Sequence, residues 1–407
     1  MSWANQKRSA ALKARHASPH AEHAVEPFGC KWCFLQNGGA AFGHASLPES
    51  MGHGLAKTLL FPLCRYAQQE GKMKAIVFHE HGGLDQLRYE DFPDPELGPQ
   101  DVLVRVRAVS LNGFDPMILN GIPGLRTPLP MIPGADFAGE LVELGSDVDR
   151  SRWQKGRRVT VVPLRPGEGM MGETLRGAAA EYCAVPQSSL LPLPDAVSFV
   201  DAACLPTAYG TALRMMTTRG KVAAGERVLV LGASGGVGTC CVQLAKLAGA
   251  EVMACGSSDE KVKKLKDLGA DYAVNTTTQD YVREVIRLYG KPRVWGESGG
   301  VDVIVNYTGG STWAECFRAL KRDGRLLTCG ATAGYAPPTD IRYIWSFEFR
   351  IIGSSGWTPD DQRELLDRVA DGRIKPVVHS VLPLREFAAA LQELIDRKVF
   401  GKAVLEP

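Results

Sequence analysis

The sequence predicts an α/β protein in which a doubly wound parallel sheet is joined to a smaller, mostly β region. Three observations carry that prediction. Val228–Leu231 is a short apolar run that passes through a glycine-rich turn, Gly232–Gly238, into a helical pattern ending at Gly249-Ala250. A second apolar strand, Glu251–Cys255, follows at the spacing of a βαβ unit. Well before it, Asp101–Val109 alternates strictly, with Val102, Val104, Val106 and Ala108 on one side and Arg105 and Arg107 on the other, the mark of a half-buried strand.

The strand, glycine loop and helix together point to a dinucleotide. Gly235, Gly236 and Gly238 let the backbone turn sharply and approach a pyrophosphate, Val237 begins the helix beside them, and the helix N-terminus presents unpaired N–H groups to the anion.

The chain has 407 residues, enough for two well-buried domains and an appendage. Hydrophobic residues make up 45% and the net charge is only +2, so no field argues for nucleic acid or an acidic membrane. No apolar run reaches membrane-spanning length. The ten cysteines are scattered and include the adjacent pair Cys240-Cys241, which suits reduced thiols better than a disulfide framework.

Residues 1–72 read as an extension without sustained periodicity. Up to Pro19 there are Lys7, Arg8, Lys13 and Arg15 and no acid, with Ser2, Ser9 and Ser18 among them. A mitochondrial transit segment has that composition; a disordered extension to a cytoplasmic protein is the plainer alternative, and Met73 opens a strand pattern like a domain start. Cys30 and Cys33 with His44 and His53 invite a zinc reading. The two histidines are too far apart, in glycine-rich sequence, for a zinc module.

From Met73 to Val200 short strands alternate with turns. KAIVF, Asp101–Val109, Phe137–Leu144, Arg158–Pro163 and Ala180–Val185 are the expected strands, with Gly or Pro at the joints. A helix is expected over Asp201–Met216. Further βα units follow, with a helix end, a turn and a short strand over Leu268–Asn275 and strands at Val301–Val305 and Gly324–Gly330, and Asn306 and Thr308 lie just past the Val301–Val305 strand. Ligands of doubly wound sheets bind outside strand C-termini, so both are expected to face the cofactor cleft. Ile351–Ser354 reads as the return to the first domain. A helix then begins after Thr358-Pro359 and ends at Gly372, a second covers Arg385–Arg397, and Gly401–Leu405 is the last strand.

The order LNGFD, IPGADFAGE, DAACLPTAYGTAL and then the glycine loop resembles the medium-chain dehydrogenase/reductase family, which holds the zinc alcohol dehydrogenases and the quinone oxidoreductases. The resemblance spans about Met73 to Pro407. It implies a GroES-like catalytic domain over residues 73–200, a Rossmann cofactor domain over 201–350, and a return segment over 351–407 that completes the catalytic domain.

At the three places where zinc members of the family carry catalytic ligands, this chain has Asn112, Ala135-Asp136 and Ala203. Two alanines cannot coordinate, so no catalytic zinc is expected. The stretch matching the structural zinc lobe, Val162–Tyr182, has no cysteine and reads as a flexible glycine-rich loop. Zinc-free relatives resemble this chain in Asn-x-x-Asp, here Asn112–Asp115. Without a Lewis acid, a substrate carbonyl must be polarised by hydrogen bonds as hydride arrives. Asn112 and Asp115 are therefore the candidate catalytic residues, Asn112 as a donor to the substrate or as a turn residue tied to its own backbone, Asp115 as an acceptor holding the loop. Phe114 and Met117 stand where relatives have a proton-relay hydroxyl and a tyrosine, and are expected to form an apolar substrate wall.

Thr207 and Tyr209 lie on the segment that passes beneath the nicotinamide in relatives, as cofactor contacts or as packing. The end of the second strand reads Cys255-Gly256-Ser257-Ser258, with Gly256 where NAD-specific relatives place an acid and Lys261 close behind. Small hydroxyls and a cation favour a 2′-phosphate, so NADP(H) is preferred over NAD(H). Lys402 matches a basic position that meets the pyrophosphate in relatives. Tyr307 and His379 read as packed or satisfied side chains.

The function these features imply is zinc-independent, NADPH-dependent hydride transfer to a small molecule, a quinone or an α,β-unsaturated carbonyl compound. The rivals are an alcohol dehydrogenase or carbonyl reductase, and a catalytically silent NADP(H)-binding sensor or scaffold. Edge-strand pairing of cofactor domains, common in the family, makes a homodimer the expected assembly, with Arg350–Ser354 near the edge.

Overall fold

The computed structural model describes residues 71–407. The extension, its transit reading and the Cys30, Cys33, His44 and His53 reading lie outside the described residues. A hairpin comes first, β1 (Lys72–Val77) and β2 (Arg88–Pro93). It leads to β3 (Asp101–Ser110), β4 (Asp136–Leu144), β5 (Arg158–Val161), the two-residue strands β6 (Leu164–Arg165) and β7 (Gly169–Met170), then β8 (Tyr182–Pro186) and β9 (Leu190–Pro192). The α-helix α1 (Asp115–Asn120) lies among them. β3 is the hub of this lobe, pairing antiparallel with β4, β8 and the last strand of the chain. Its alternation is as the sequence predicts, with Val102, Val104, Val106 and Ala108 buried and Arg105 and Arg107 exposed. Each arginine sets its guanidinium over an aromatic ring, Arg105 over Tyr182 and Arg107 over Phe199.

The second lobe is a six-stranded, all-parallel sheet: β10 (Arg227–Val230), β11 (Glu251–Gly256), β12 (Tyr272–Asn275), β13 (Val301–Val305), β14 (Leu320–Thr328) and β15 (Arg350–Gly353). Val228, Leu229, Val230 and Val303–Val305 are fully or almost fully buried because helices cover both faces. The spatial order β12-β11-β10-β13-β14-β15 reverses direction between β10 and β13, which opens a crevice at the carboxyl ends of those two strands. Ile351 pairs with Leu326 in β14, so Arg350–Gly353 is the sheet's edge strand and the return to the first lobe begins after it.

The segment between the lobes is not the single helix expected over Asp201–Met216. It is α2 (Phe199–Ala203), a π-helical turn over Leu205–Tyr209, α3 (Gly210–Leu213) and a second π turn over Arg214–Arg219. Pro206 lacks an N–H and its ring crowds the preceding turn, which widens the helix there. Gly210 then admits the Trp357 ring, which lies 2.6 Å from where its Cβ would be. The stretch expected to be a loose glycine-rich loop is pinned instead by the β6–β7 hairpin and fully buried Met171.

Helices α4 (Gly236–Leu247), α5 (Asp259–Asp267), α6 (Tyr281–Tyr289), α7 (Thr312–Ala319) and α8 (Ile341–Ser346) serve the parallel sheet. The return segment holds α9 (Pro359–Ala370), β16 (Val378–Pro383), α10 (Phe387–Ile395) and β17 (Lys402–Glu406). β17 joins the first sheet beside β3, and just before it Gly401 donates to the Ser234 carbonyl at 2.8 Å. The return segment therefore docks one lobe onto the glycine loop of the other.

Candidate functional site

The glycine loop leaves β10 at the crevice, held to its neighbours by Leu231 N–H on Val305 and Ala233 N–H on the Cys255 carbonyl. α4 starts at Gly236, and among the described residues no side chain caps it. Its first N–H groups, those of Gly236, Val237 and Gly238, have no partner within the helix and lie at the positive end of its dipole. Close packing requires two of the glycines. A Cβ at Gly238 would lie 2.5 Å from the Gly232 oxygen, and one at Gly236 would lie 2.8 Å from Lys402 Cδ and 3.0 Å from Ala208 Cβ. That cradle fits a pyrophosphate. Tyr307 stands under it, its buried hydroxyl donating to the Gly232 carbonyl, and Thr308 lies against Gly232.

Gly235 departs from the expectation that all three glycines serve the phosphate. Its N–H is already spent, donating to the Gly232 carbonyl at 3.1 Å, so it has no donor left for an anion. Nor is glycine required there: the backbone is extended, with φ −81° and ψ 173°, and an added Cβ would meet only the Tyr307 hydroxyl at 3.4 Å and the Gly232 oxygen at 3.7 Å. Gly235 therefore acts as the N-cap of α4 and closes the turn, its carbonyl accepting the Thr239 N–H at 2.9 Å.

Asn306 does not face the cleft as expected. It is fully buried, its Oδ1 accepting from Thr308 and Gly309 N–H at 3.0 Å each and its amide N–H group reaching Thr312 and Cys316 at 3.1 Å. A short amide side chain following a strand closes its own turn more readily than it reaches a ligand. Asn306 therefore shapes the Tyr307–Gly309 turn.

At the end of β11, Ser257 is exposed and open, while Ser258 caps α5 by accepting the Lys261 N–H at 3.2 Å. Lys261 is turned inward. Its ammonium donates to the Arg397 carbonyl and only 8% of the residue is exposed; burial holds its pKa below the usual lysine value. The expected reach of Lys261 toward a 2′-phosphate is thus replaced by a tie to the return segment.

Lys402 departs from expectation in a more consequential way. Its stem crosses Gly236, but the ammonium continues past the loop into the other lobe, bonding the Leu111 carbonyl and Asn112 Oδ1 at 2.6 Å each and lying 3.6 Å from Asp136 Oδ2. Lys402 is 3% exposed and Asp136 is 0% exposed. Asp136 also accepts from Asn112 Nδ2 at 2.9 Å, from Thr207 Oγ1 at 2.6 Å and from Thr207 N–H at 3.1 Å. Thr207 is therefore spent on Asp136 rather than offered to a nicotinamide. Those donors and the buried ammonium satisfy the buried carboxyl group together.

Asp136 is the residue that sequence reasoning missed as a site member. Its one signal is a carboxylate inside the otherwise apolar run Met131–Gly139; its partners come from elements far apart in the chain.

Asn112 is shared three ways. Its Oδ1 takes Lys402, one amide N–H goes to Asp136, and its backbone N–H donates to Asp115 Oδ2 at 2.7 Å. One side-chain N–H remains for a substrate. Asp115, 3% exposed, begins α1, and its second oxygen, Oδ1, has no hydrogen-bond partner. Burial raises its pKa to about 7; the Asn112 N–H and Lys402 oppose the rise and Asp136 adds to it. Phe114, half-buried, packs on the lobe's core, and Met117 is 50% exposed beside it. Tyr209 is structural: its buried hydroxyl accepts the Val377 N–H at 2.8 Å and meets Thr239. His379 is satisfied by the Phe400 N–H and by Glu393 at 3.4 Å each.

A β-rich lobe carrying a polar constellation at its seam with a doubly wound, glycine-loop lobe defines a nicotinamide-dependent oxidoreductase. This chain belongs to the medium-chain dehydrogenase/reductase superfamily, in its quinone oxidoreductase-like and alcohol dehydrogenase-like branch. Residues 98–195 match the alcohol dehydrogenase GroES-like domain and residues 236–371 the zinc-binding dehydrogenase domain. It is 30% identical over 362 residues to quinone oxidoreductase-like protein 2 of Mus musculus, covering 84% of this chain and 95% of that one. It is also 30% identical over 332 residues to the quinone oxidoreductase of Mus musculus, covering 79% and 94%. A solved NAD-dependent alcohol dehydrogenase superposes with a TM-score of 0.76 at 34% identity, covering 82% of this chain and all of that one.

Zinc, named in one of these domains, is not matched by the residues present. Among the described residues no three His, Cys, Asp or Glu side chains group to hold a metal ion. The Lys402 ammonium also lies against Asn112 at the first ligand place, where a divalent cation would be repelled.

Proposed function

We propose that this protein is a zinc-independent reductase that prefers NADPH and reduces a quinone or an α,β-unsaturated carbonyl compound. The observation that carries the reading is the buried Lys402–Asn112–Asp136 cluster at the place where zinc relatives hold their metal. A bound reduced nicotinamide supplies the hydride. The first N–H groups of α4 hold its pyrophosphate. Gly256 presents no carboxylate to a 2′-phosphate and Ser257 leaves an open hydroxyl beside it, which supports NADPH over NADH.

Lys402 fixes the Asn112 carboxamide by its oxygen, and Asp136 fixes it by one N–H. The other N–H is thereby preorganised toward an oxygen on which negative charge develops. Phe114 and Met117 give an apolar approach suited to a flat, conjugated substrate. The mouse relative named quinone oxidoreductase agrees with this class.

The test is NADPH oxidation with a panel of quinones and enones, run beside a Gly236→Asp variant. That side chain would collide with Lys402 and place a negative charge at the pyrophosphate site. Turnover by the wild type and none by the variant is expected. Tight NADPH binding with no substrate reduced by the wild type would overturn the catalytic reading.

A further inference from the structure

A cavity of about 490 Å³ opens between α6, α7 and α8, beside the segment 291–294 that leads to β13. That volume is ordinary for a small-molecule site. It lies across the parallel sheet from α4 and the pyrophosphate cradle. Along β10, Leu229 faces the core under α6 and α7, while Val228 and Val230 face the core shared with α4. The residues lining the cavity include none of the glycine loop and none of the Lys402 cluster, so the hydride-transfer reading makes no use of it.

Its floor is aromatic. The Phe317 ring, 1% exposed, has its centroid 6.3 Å from that of Tyr343 and 6.0 Å from that of Phe349, and Phe347 lies 5.8 Å from Tyr343, with interplanar angles of 23°, 25° and 14°. Rings braced against one another keep their places and leave the space above them open. Asp340 holds the first turn of α8 over it, accepting the Arg342 N–H at 3.1 Å.

The charge around this floor is one-sided. Arg342 is already bound by Asp340, through Nε at 2.9 Å and Nη2 at 2.7 Å. Two neighbouring acids are taken as well, Glu348 by Arg322 and Glu284 by Arg287, at 2.8 Å each. Lys291 and Arg318 also line the cavity, and among the described residues neither forms an ion pair or a side-chain hydrogen bond. Two uncompensated cations beside a low-dielectric wall concentrate positive potential in the space they share. The apolar floor would suit many occupants; the cations select an anion. The site is also separate from the apolar edge of the sheet. Ile341 and Trp345, one turn apart on α8, are each 61% exposed, whereas Tyr343 and Phe347 pack inward on the core.

We propose that this cavity is a second small-molecule site, whose ligand is an organic anion with a flat apolar body and a carboxylate, sulfonate or phosphate group. The body rests on Phe317, Tyr343 and Phe347, and the anionic group meets Lys291 and Arg318.

The probe is 8-anilinonaphthalene-1-sulfonate, an aryl sulfonate whose fluorescence reports binding. It is titrated into the full-length protein with NADP⁺ and NAD⁺ both in excess, so that the cofactor cleft is filled. One site per chain is expected. Lys291→Glu combined with Arg318→Glu should weaken binding at least about tenfold, and N-phenyl-1-naphthylamine, the same ring system without the sulfonate, should bind wild type at least about tenfold more weakly. Ser346→Trp fills the cavity from α8 with both cations in place and should abolish the signal. All three substitutions lie outside the cofactor cleft, and NADPH binding as in wild type shows that the variants fold. Displacement of the probe by the dinucleotides, equal affinity for the uncharged analogue, or equal affinity in the charge-reversed variant overturns the proposal. A wild type that binds no probe also overturns it; if sedimentation then shows a monomer only for the charge-reversed variant, a second copy of the chain covers the cavity.

Discussion

Replacing Lys402 by Met keeps the stem that packs across Gly236 and removes only the ammonium. Three groups then lose their partner: the Leu111 carbonyl, Asn112 Oδ1 and, through space, the Asp136 carboxylate. All lie in a region closed to water, with Lys402 3% and Asp136 0% exposed. Breaking a buried ion pair from one side costs about 3–5 kcal/mol, because the remaining charge is left uncompensated. Thr207 and Asn112 still donate to Asp136, which places the loss toward the lower end of that range. At roughly 2–4 °C per kcal/mol the melting temperature should fall by about 10 °C. The assay is urea unfolding of Lys402→Met, Asp136→Asn and the double variant. In the double variant no charge is stranded, so its loss should be well below the sum of the single losses. Strict additivity, or a Lys402→Met loss under about 1 kcal/mol as for an exposed pair, would refute the buried-pair reasoning.

Other outcomes follow from the same structure. Ser257→Asp puts a carboxylate at the end of β11, where it would accept from ribose hydroxyls and repel a 2′-phosphate; the ratio of NADPH to NADH dissociation constants, measured by fluorescence titration, should move by at least about tenfold toward NADH. Asp115, raised by burial from 3.8 to about 7, favours folding below its unfolded value and loses that contribution as pH rises through its folded value. Relative to Asp115→Asn, wild-type stability in urea should therefore fall between about pH 4 and about pH 7, by a few kcal/mol at most. The edge strand β15 carries Ile351, and α8 carries Ile341 and Trp345, each 61% exposed. An unpaired edge beside apolar side chains suits pairing with a second copy. Sedimentation should give a dimer for wild type and a monomer for Trp345→Asp combined with Ile351→Lys.

Most of the parallel sheet was legible in the chain because its strands are short apolar runs bounded by glycines, a pattern that tertiary context reinforces. β3 was legible through its strict alternation. The Phe199–Arg219 segment was not: its helical period is genuine and Pro206 marks a break within it, but Trp357 pressing on Gly210 is a contact made across the sequence. The glycine loop is legible in local spacing, and Asn112 through the Asn-x-x-Asp resemblance to zinc-free relatives. Spacing did not separate Gly235, whose N–H closes the turn on Gly232, from Gly236 and Gly238, where a side chain has no room. The partners of Asn112 were not legible either, since Lys402 lies 290 positions away and no local pattern records such a pairing. Lys261 reads as a cofactor residue from its place after the second strand, and Lys402 and Thr207 from the positions they match in relatives. Here nearby carbonyls and Asp136 bind them first.

The central claim, hydride transfer at this site without zinc, is tested most directly by measuring metal content and NADPH-dependent quinone reduction on one chelator-treated sample. Full turnover by protein that contains no zinc is the expected result. Activity that disappears with one tightly bound zinc per chain, and returns when zinc is restored, would contradict it.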